Sequence, residues 1–268
     1  MSGHGNSGQD NPAPKKSLGQ HFLHDRGVLN DIVDAADVQA GEAVLEIGPG
    51  AGALTEILLQ RGARVTAVEL DQRMPEHLAQ RFPGAPLEVL HADFLELDAQ
   101  ALARLPRKVL SNLPYNAATA ILQRLLLAEP AFGPQVLMFQ LEVAKRLCAG
   151  PGSGDFGIPS IMAALLARTQ MVRKVEPGSF FPPPKVRSAV LRLDPLPLAP
   201  EQRAEIGRFL DIAGGWFRFR RKTIQNAMKN AGHPAEAITR ALESCQIDPR
   251  TRPEQLPAQT LLDLARLL

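Results

Sequence analysis

Cysteine is scarce: Cys148 and Cys245 are the two thiols in 268 residues. They lie far apart and match no metal or redox spacing, which predicts reduced thiols in a cytoplasmic protein and no metal centre. Long hydrophobic runs are missing too. No stretch reaches the roughly 20 apolar residues of a membrane span, so no membrane partner is expected. Charge of one sign is also lacking. Thirty Lys and Arg face 28 Asp and Glu, for a net charge of +2. Any surface for a polyanion must therefore be a local patch. Internal repeats are absent. Residues Met1–Pro14 are rich in Gly, Ser, Asn and Pro and hold no apolar stretch. They read as a disordered tail, not a signal peptide.

What is present is enough apolar residue, 45%, for a packed core. From about Gln39, short apolar runs alternate with amphipathic stretches. Ala43–Ile47, Arg64–Val68, Leu87–Leu90, Lys108–Leu110 and Gln135–Phe139 read as strands, and Leu54–Gln60, Pro75–Arg81 and Thr119–Leu127 as helices. This alternation predicts an α/β fold with a mostly parallel sheet. Met171–Val175 and Ala189–Leu193 read as two further strands around Phe180-Phe181-Pro182-Pro183-Pro184, which proline bars from regular structure. The proline-rich stretch Asp194–Pro200 reads as a linker. Beyond it the periodicity is helical only, over Glu201–Ala213, Trp216–Asn230, Ala235–Glu243 and Gln259–Leu268. The organisation expected is a tail (1–14), an α/β domain (15–197) and a small all-helical domain (198–268).

Asn112-Leu113-Pro114-Tyr115 follows an apolar strand end. It suits chemistry on an exocyclic amine of a planar base, whose lone pair is delocalised into the ring. An amide oxygen and a backbone carbonyl can each accept one N–H of that amine. Both contacts strengthen as the nitrogen becomes cationic. Proline stiffens the turn, and the aromatic ring can stack on an extruded base. A plain strand-terminating turn fits the four residues equally well.

A glycine loop, Glu46-Ile47-Gly48-Pro49-Gly50-Ala51-Gly52-Ala53, lies between the first predicted strand and helix. Such a loop brings backbone close to a ligand at a helix N-terminus. Glu69, ending the second strand, stands where an acid binds ribose hydroxyls. NAD and S-adenosylmethionine both carry that ribose. Three further residues favour S-adenosylmethionine: Glu46 for its methionine end, Asp93 for an adenine amino group, and Asn112 beside the sulfonium methyl. Successive strand ends would then present polar groups into one crevice.

These motifs together resemble the bacterial small-subunit ribosomal RNA adenine N6,N6-dimethyltransferases. The wider group holds the erythromycin-resistance RNA methylases. Seven ordered motifs carry the resemblance: Ser17–Leu23, Glu46–Gly52, Val68–Asp71, His91–Phe94, Asn112–Tyr115, Phe180–Ser188 and Arg220–Asn226. The resemblance implies a Rossmann-like class I S-adenosylmethionine-dependent methyltransferase domain with a small all-helical C-terminal domain. It implies that His21, Leu23, Gly48, Glu69, Asp93 and Asn112 line the S-adenosylmethionine pocket. Asn112 and the Leu113 carbonyl would hold the adenine N6, and Tyr115 and Phe180 would sandwich the adenine ring. The implied substrate is a pair of adjacent adenosines in a hairpin loop near the 3′ end of small-subunit rRNA, in an assembling small subunit. Ala117-Ala118, Phe156 and Phe219 depart from the family's usual residues.

Between Trp216 and Asn230 stand Arg218, Arg220, Arg221, Lys222 and Lys229, with no acid. This reads as a basic amphipathic helix with a phosphate-binding edge, Arg218, Arg220, Arg221 and Lys222, which Arg173, Lys174, Lys185 and Arg187 extend. A monomer is expected.

Overall fold

The computed structural model describes residues 12–15 and 19–268. Of the expected tail only residues 12–14 fall among them, and Ser17 and Leu18 of the opening motif lie outside them. In chain order the strands are β1 (Phe22–Leu23), β2 (Ala43–Ile47), β3 (Arg64–Glu69), β4 (Leu87–His91), β5 (Lys108–Asn112), β6 (Gln135–Gln140), β7 (Ala167–Val175), β8 (Phe180–Phe181) and β9 (Ser188–Pro195). The helices are α1 (Arg26–Ala35), α2 (Ala53–Gln60), α3 (Met74–Arg81), α4 (Ala99–Arg104), α5 (Ala118–Leu127), α6 (Leu141–Leu147), α7 (Ile158–Leu166), α8 (Pro200–Phe217), α9 (Ile224–Asn230), α10 (Ala235–Ser244) and α11 (Ala258–Arg266).

Seven strands make one sheet in the order β4-β3-β2-β5-β6-β9-β7, and β1 pairs with β8 as a separate ribbon. From β4 to β6 all pairs are parallel, while β9 runs antiparallel to both its neighbours. Apolar runs form these central strands because helices cover both faces, so both side-chain rows are buried. The alternation is visible in β2: Leu45 and Ile47 join the core cluster shared with α5 and α7, and Val44 joins the cluster shared with α1 and α2. Strand order reverses beside β2, since β3 and β4 lie on one side and β5 on the other. The crevice beyond the carboxyl ends of β2 and β5 is therefore where an open α/β sheet takes a ligand.

Two expectations change. The linker is shorter than Asp194–Pro200, because β9 runs to Pro195 and α8 starts at Pro200. Trp216–Asn230 is not one helix: α8 ends at Phe217 and α9 begins at Ile224. The Thr223 hydroxyl caps α9 by accepting from Asn226 N at 3.3 Å, and Ile224 N donates to Thr251 O at 2.6 Å. Those bonds hold 218–223 as a turn. The C-terminal helices also share a core with the sheet layer, Phe209 and Trp216 of α8 lying in one cluster with Leu122 of α5 and Ile161 of α7. Arg203, 5% exposed, fastens α8 to the loop after α5 through Glu129 Oε1 at 2.5 Å.

Candidate active site

A cavity of about 240 Å³ opens at the carboxyl ends of β2, β3 and β5. Its floor is the glycine loop after β2. Gly52 has φ 85°, and a Cβ there would stand 2.6 Å from Leu78 Cδ2 and 2.8 Å from Phe82 Cε2. Only glycine lets α3 pack this closely on the start of α2. At Gly50, with φ 55°, a Cβ would meet the Phe22 ring at 3.0 Å. Arg81 steadies the loop from outside, its Nη1 donating to Ala51 O at 2.5 Å and its Nη2 to Glu56 Oε2 at 2.6 Å.

Glu69, the last residue of β3, is 5% exposed. Its Oε2 accepts from Gly50 N at 3.0 Å and its Oε1 from Asp71 N at 2.8 Å. Burial pushes its pKa up against those two donors. Each oxygen keeps lone-pair capacity for a further donor, which suits a ribose diol. Glu46, 2% exposed, accepts from Thr55 Oγ1 at 2.7 Å. Burial, with the Glu69 charge adding to it, lifts its pKa to about 8. Asp93 lies two residues past β4 and caps the turn Phe94–Glu96 through Leu95 N at 2.8 Å. This uses Oδ1 and leaves Oδ2 for other donors, with Asp93 among the residues that line the cavity. Asp71 closes the Val68–Asp71 motif. It holds Lys15 Nζ at 3.0 Å, Gln20 Nε2 at 3.2 Å and Arg73 Nη2 at 2.5 Å, chiefly the last lowering its pKa. Those bonds bring Gln20 and His21 to the cavity wall.

Asn112 closes β5 and enters the same cavity, with Leu113, Pro114 and Tyr115 behind it. Its Nδ2 donates to His21 O at 3.2 Å. A carbonyl only accepts, so the amide nitrogen must face His21 and Oδ1 is left as an acceptor. His21 Nδ1 donates to Pro182 O at 2.7 Å for the same reason. The His21 ring stacks on Tyr115, centroids 5.6 Å apart. The Tyr115 hydroxyl is bonded to Ser188 Oγ at 2.6 Å, and burial raises the phenol's pKa. Ser188 is thus a positioning residue that sequence reasoning passed over; it sat in the Phe180–Ser188 motif with nothing to mark its partner.

His21, Leu23, Gly48, Glu69, Asp93, Asn112, Leu113 and Tyr115 all line this cavity. Phe180 does not. An outward ring was expected there, but Phe180 is 2% exposed and packs in the core cluster with Leu23. The exposed ring is its neighbour Phe181, at 65%. Adjacent residues of a strand point to opposite faces, and the pairing of β8 with β1 turns Phe180 inward.

The basic cluster is a turn, not a helix face. Arg218, Arg221 and Lys222 are exposed. Arg220 is committed elsewhere: its Nε donates to Glu254 Oε2 and its Nη2 to Gly154 O, both at 2.8 Å. It joins the helical segment to the loop before α7. Arg173 is likewise paired with Asp31.

Comparison with known proteins decides the family. Residues 12–268 match the model of the family described as ribosomal RNA adenine dimethylase. The chain belongs to the ribosomal RNA adenine dimethylase family. It is 42% identical over 95% of its length to Ribosomal RNA small subunit methyltransferase A of Geobacter metallireducens, covering 95% of that protein. The same-named protein of Deinococcus radiodurans is also 42% identical, over 95% of this chain and 86% of its own. A dimethyladenosine transferase from Plasmodium falciparum superposes with TM-score 0.78 at 27% identity, covering 91% of this chain and 96% of its own. The 23S rRNA methyltransferase ErmE superposes with TM-score 0.66 at 29% identity, covering 92% and 99%. The sheet is accordingly that of a class I methyltransferase. As a dimethylase of this family the chain is an S-adenosylmethionine-dependent rRNA adenine dimethyltransferase. Its residues fit that cofactor: a glycine floor, a buried carboxylate with spare lone pairs, a second acid at Asp93 and apolar walls from Leu70, Phe94 and Ile121. No described helix is long and apolar enough to cross a membrane.

Proposed function

We propose that this enzyme methylates N6 of two adjacent adenosines in the 3′-terminal hairpin loop of 16S small-subunit rRNA, twice each, within an assembling subunit in the cytoplasm. The observation that carries the reading is the Asn112–Tyr115 turn, whose amide oxygen is freed by the bond to His21 inside the cavity that holds Glu69. S-adenosylmethionine, when bound, supplies an electrophilic methyl on a sulfonium. Glu69 takes the ribose hydroxyls, Asp93 the adenine amino group, and Glu46 faces the methionine end, with His21, Leu23 and Gly48 completing the wall. Asn112 Oδ1 and the Leu113 carbonyl accept the two N–H bonds of the target N6. They align its lone pair and stabilise the charge it gains, after which N6 loses a proton to water. Tyr115, held by Ser188, offers the stacking surface for the extruded base. Phe180 can take the second face only after leaving the core. Arg218, Arg221 and Lys222, within the helical segment 198–268, grip RNA phosphate; Arg220 shapes their turn. A monomer suffices for this site.

The name shared by the 42%-identical relatives supports a small-subunit substrate. The likeness to ErmE keeps large-subunit rRNA as the second reading. The test is methylation of unmethylated small-subunit particles and, in parallel, large-subunit RNA, followed by nucleoside analysis. N6,N6-dimethyladenosine from the small-subunit sample alone is expected. Product from large-subunit RNA alone would overturn the substrate assignment.

A further inference from the structure

The segment from Phe180 to Ser188 is fastened to the active site at both ends. Near its start the Pro182 carbonyl accepts from His21 Nδ1 at 2.7 Å. At its end Ser188 Oγ is bonded to the Tyr115 hydroxyl at 2.6 Å. His21 and Tyr115 both line the cavity and stack on one another. The segment is therefore tied at two points to residues that line the cavity.

The register of the small ribbon decides which way its rings point. Phe22 is the partner of Phe181, and Leu23 of Phe180. Directly opposed residues share a face of a ribbon. Leu23 and Phe180 are buried together in the core, and Leu23, like Phe22, also reaches the cavity lining. Phe181 pairs with cavity-lining Phe22, stands next to Pro182, whose carbonyl is bonded to cavity-lining His21, and is 65% exposed. Lys185, Val186 and Arg187, on the same segment, are also exposed. Among the described residues the Arg187 guanidinium has one ion pair, to Glu176 at 3.8 Å.

We infer that Phe181 is a stacking platform for the nucleotide next to the target adenosine, with Lys185 and Arg187 holding the phosphates on either side. The inference rests on the RNA-methylating reading of the cavity. When one base is turned into the cavity, the neighbouring base loses a stacking partner. An exposed ring on the segment tied to the cavity replaces that partner, and the cations further along the same segment neutralise backbone phosphate. This chemistry is blind to base identity and asks only for a planar face. Phe181 thereby favours single-stranded loop RNA over a paired helix.

The experiment compares wild type with Phe181→Ala, Phe181→Leu and Phe181→Trp. RNA affinity is measured with S-adenosylhomocysteine present, alongside kcat/KM for the RNA that the wild type methylates. Phe181→Ala and Phe181→Leu are expected to weaken RNA binding and kcat/KM about tenfold, and Phe181→Trp to restore both. S-adenosylhomocysteine affinity should stay at the wild-type value in all three. RNA affinity unchanged in Phe181→Ala, or full function in Phe181→Leu, would overturn the inference; so would a parallel loss of S-adenosylhomocysteine binding. Failure of the small-subunit assignment reads differently, as wild-type product on large-subunit RNA.

Discussion

Asn112 Nδ2 donates to the backbone carbonyl of His21 at 3.2 Å, across 91 positions of sequence. That one bond orients the amide, so the acceptor oxygen is preset before a base arrives. Preset acceptors cost no reorganisation when charge develops on the nitrogen. Asn112→Ala should therefore lower kcat by about 100-fold or more while the protein still folds. Methyl-transfer rates with circular dichroism as the fold control check this; turnover at the wild-type level would remove Asn112 from the reaction.

Glu46 makes stability depend on pH. Its carboxyl titrates near 4.5 when unfolded and near 8 in the fold, because burial disfavours the charged form. The folded state binds the proton more tightly, so this contribution is full below about 4.5 and is lost as pH rises through about 8. Glu46→Gln keeps an acceptor for Thr55 and does not titrate. The difference in melting temperature between wild type and variant should swing across that window, in favour of wild type at the acid end. Parallel curves would sink the assignment.

Trp216 reports on a second titration. Its Nε1 donates to His233 Nε2 at 3.1 Å, which requires that nitrogen to be unprotonated. Burial lowers the imidazole pKa from 6.5. The unfolded chain therefore takes up the proton first, and the helical layer loses stability as pH falls through 6.5. Trp216 is the sole tryptophan, so its emission follows this layer without overlap. The denaturant midpoint read from it should fall between about pH 7.5 and 5.5, and fall less in His233→Gln.

Gly52→Ala should destabilise the fold by at least about 2 kcal/mol, since φ 85° is unfavourable for alanine and its methyl would overlap Leu78. Gly84→Ala is the control: it shares a positive φ, 71°, but its Cβ would meet nothing within 4 Å. Thermal denaturation of both variants separates steric overlap from backbone strain. Equal losses would show that α3 yields to the added methyl.

Much of the site was legible before any fold was known. Glu69 and Asn112 were placed by strand ends, because apolar runs mark the strands and the polar residue that stops each run is the one left at the carboxyl edge; Gly48 was placed by the glycine loop. Asp93 was misplaced only slightly, two residues past β4. The roles of Asp71 and Ser188 were not legible. A lone acid or hydroxyl in a motif carries no sign of its partner when that partner is 51 or 73 positions away. Trp216–Asn230 read as one helix because α8 and α9 share a periodicity. The bond from Ile224 N to Thr251 O that separates them comes from a distant loop.

By itself the sequence determined the α/β layering, the glycine floor and the set of polar groups at the strand ends. Hydrophobic period and backbone permissiveness are local properties, written residue by residue. Only the tertiary structure decided that Phe180 turns inward and Phe181 outward, that Arg220 braces a turn while Arg218, Arg221 and Lys222 stay free for solvent, and that His21 orients Asn112. Each of those outcomes depends on register or on a contact between distant segments. Neighbours of the same residue type are indistinguishable until a pairing partner assigns them opposite faces.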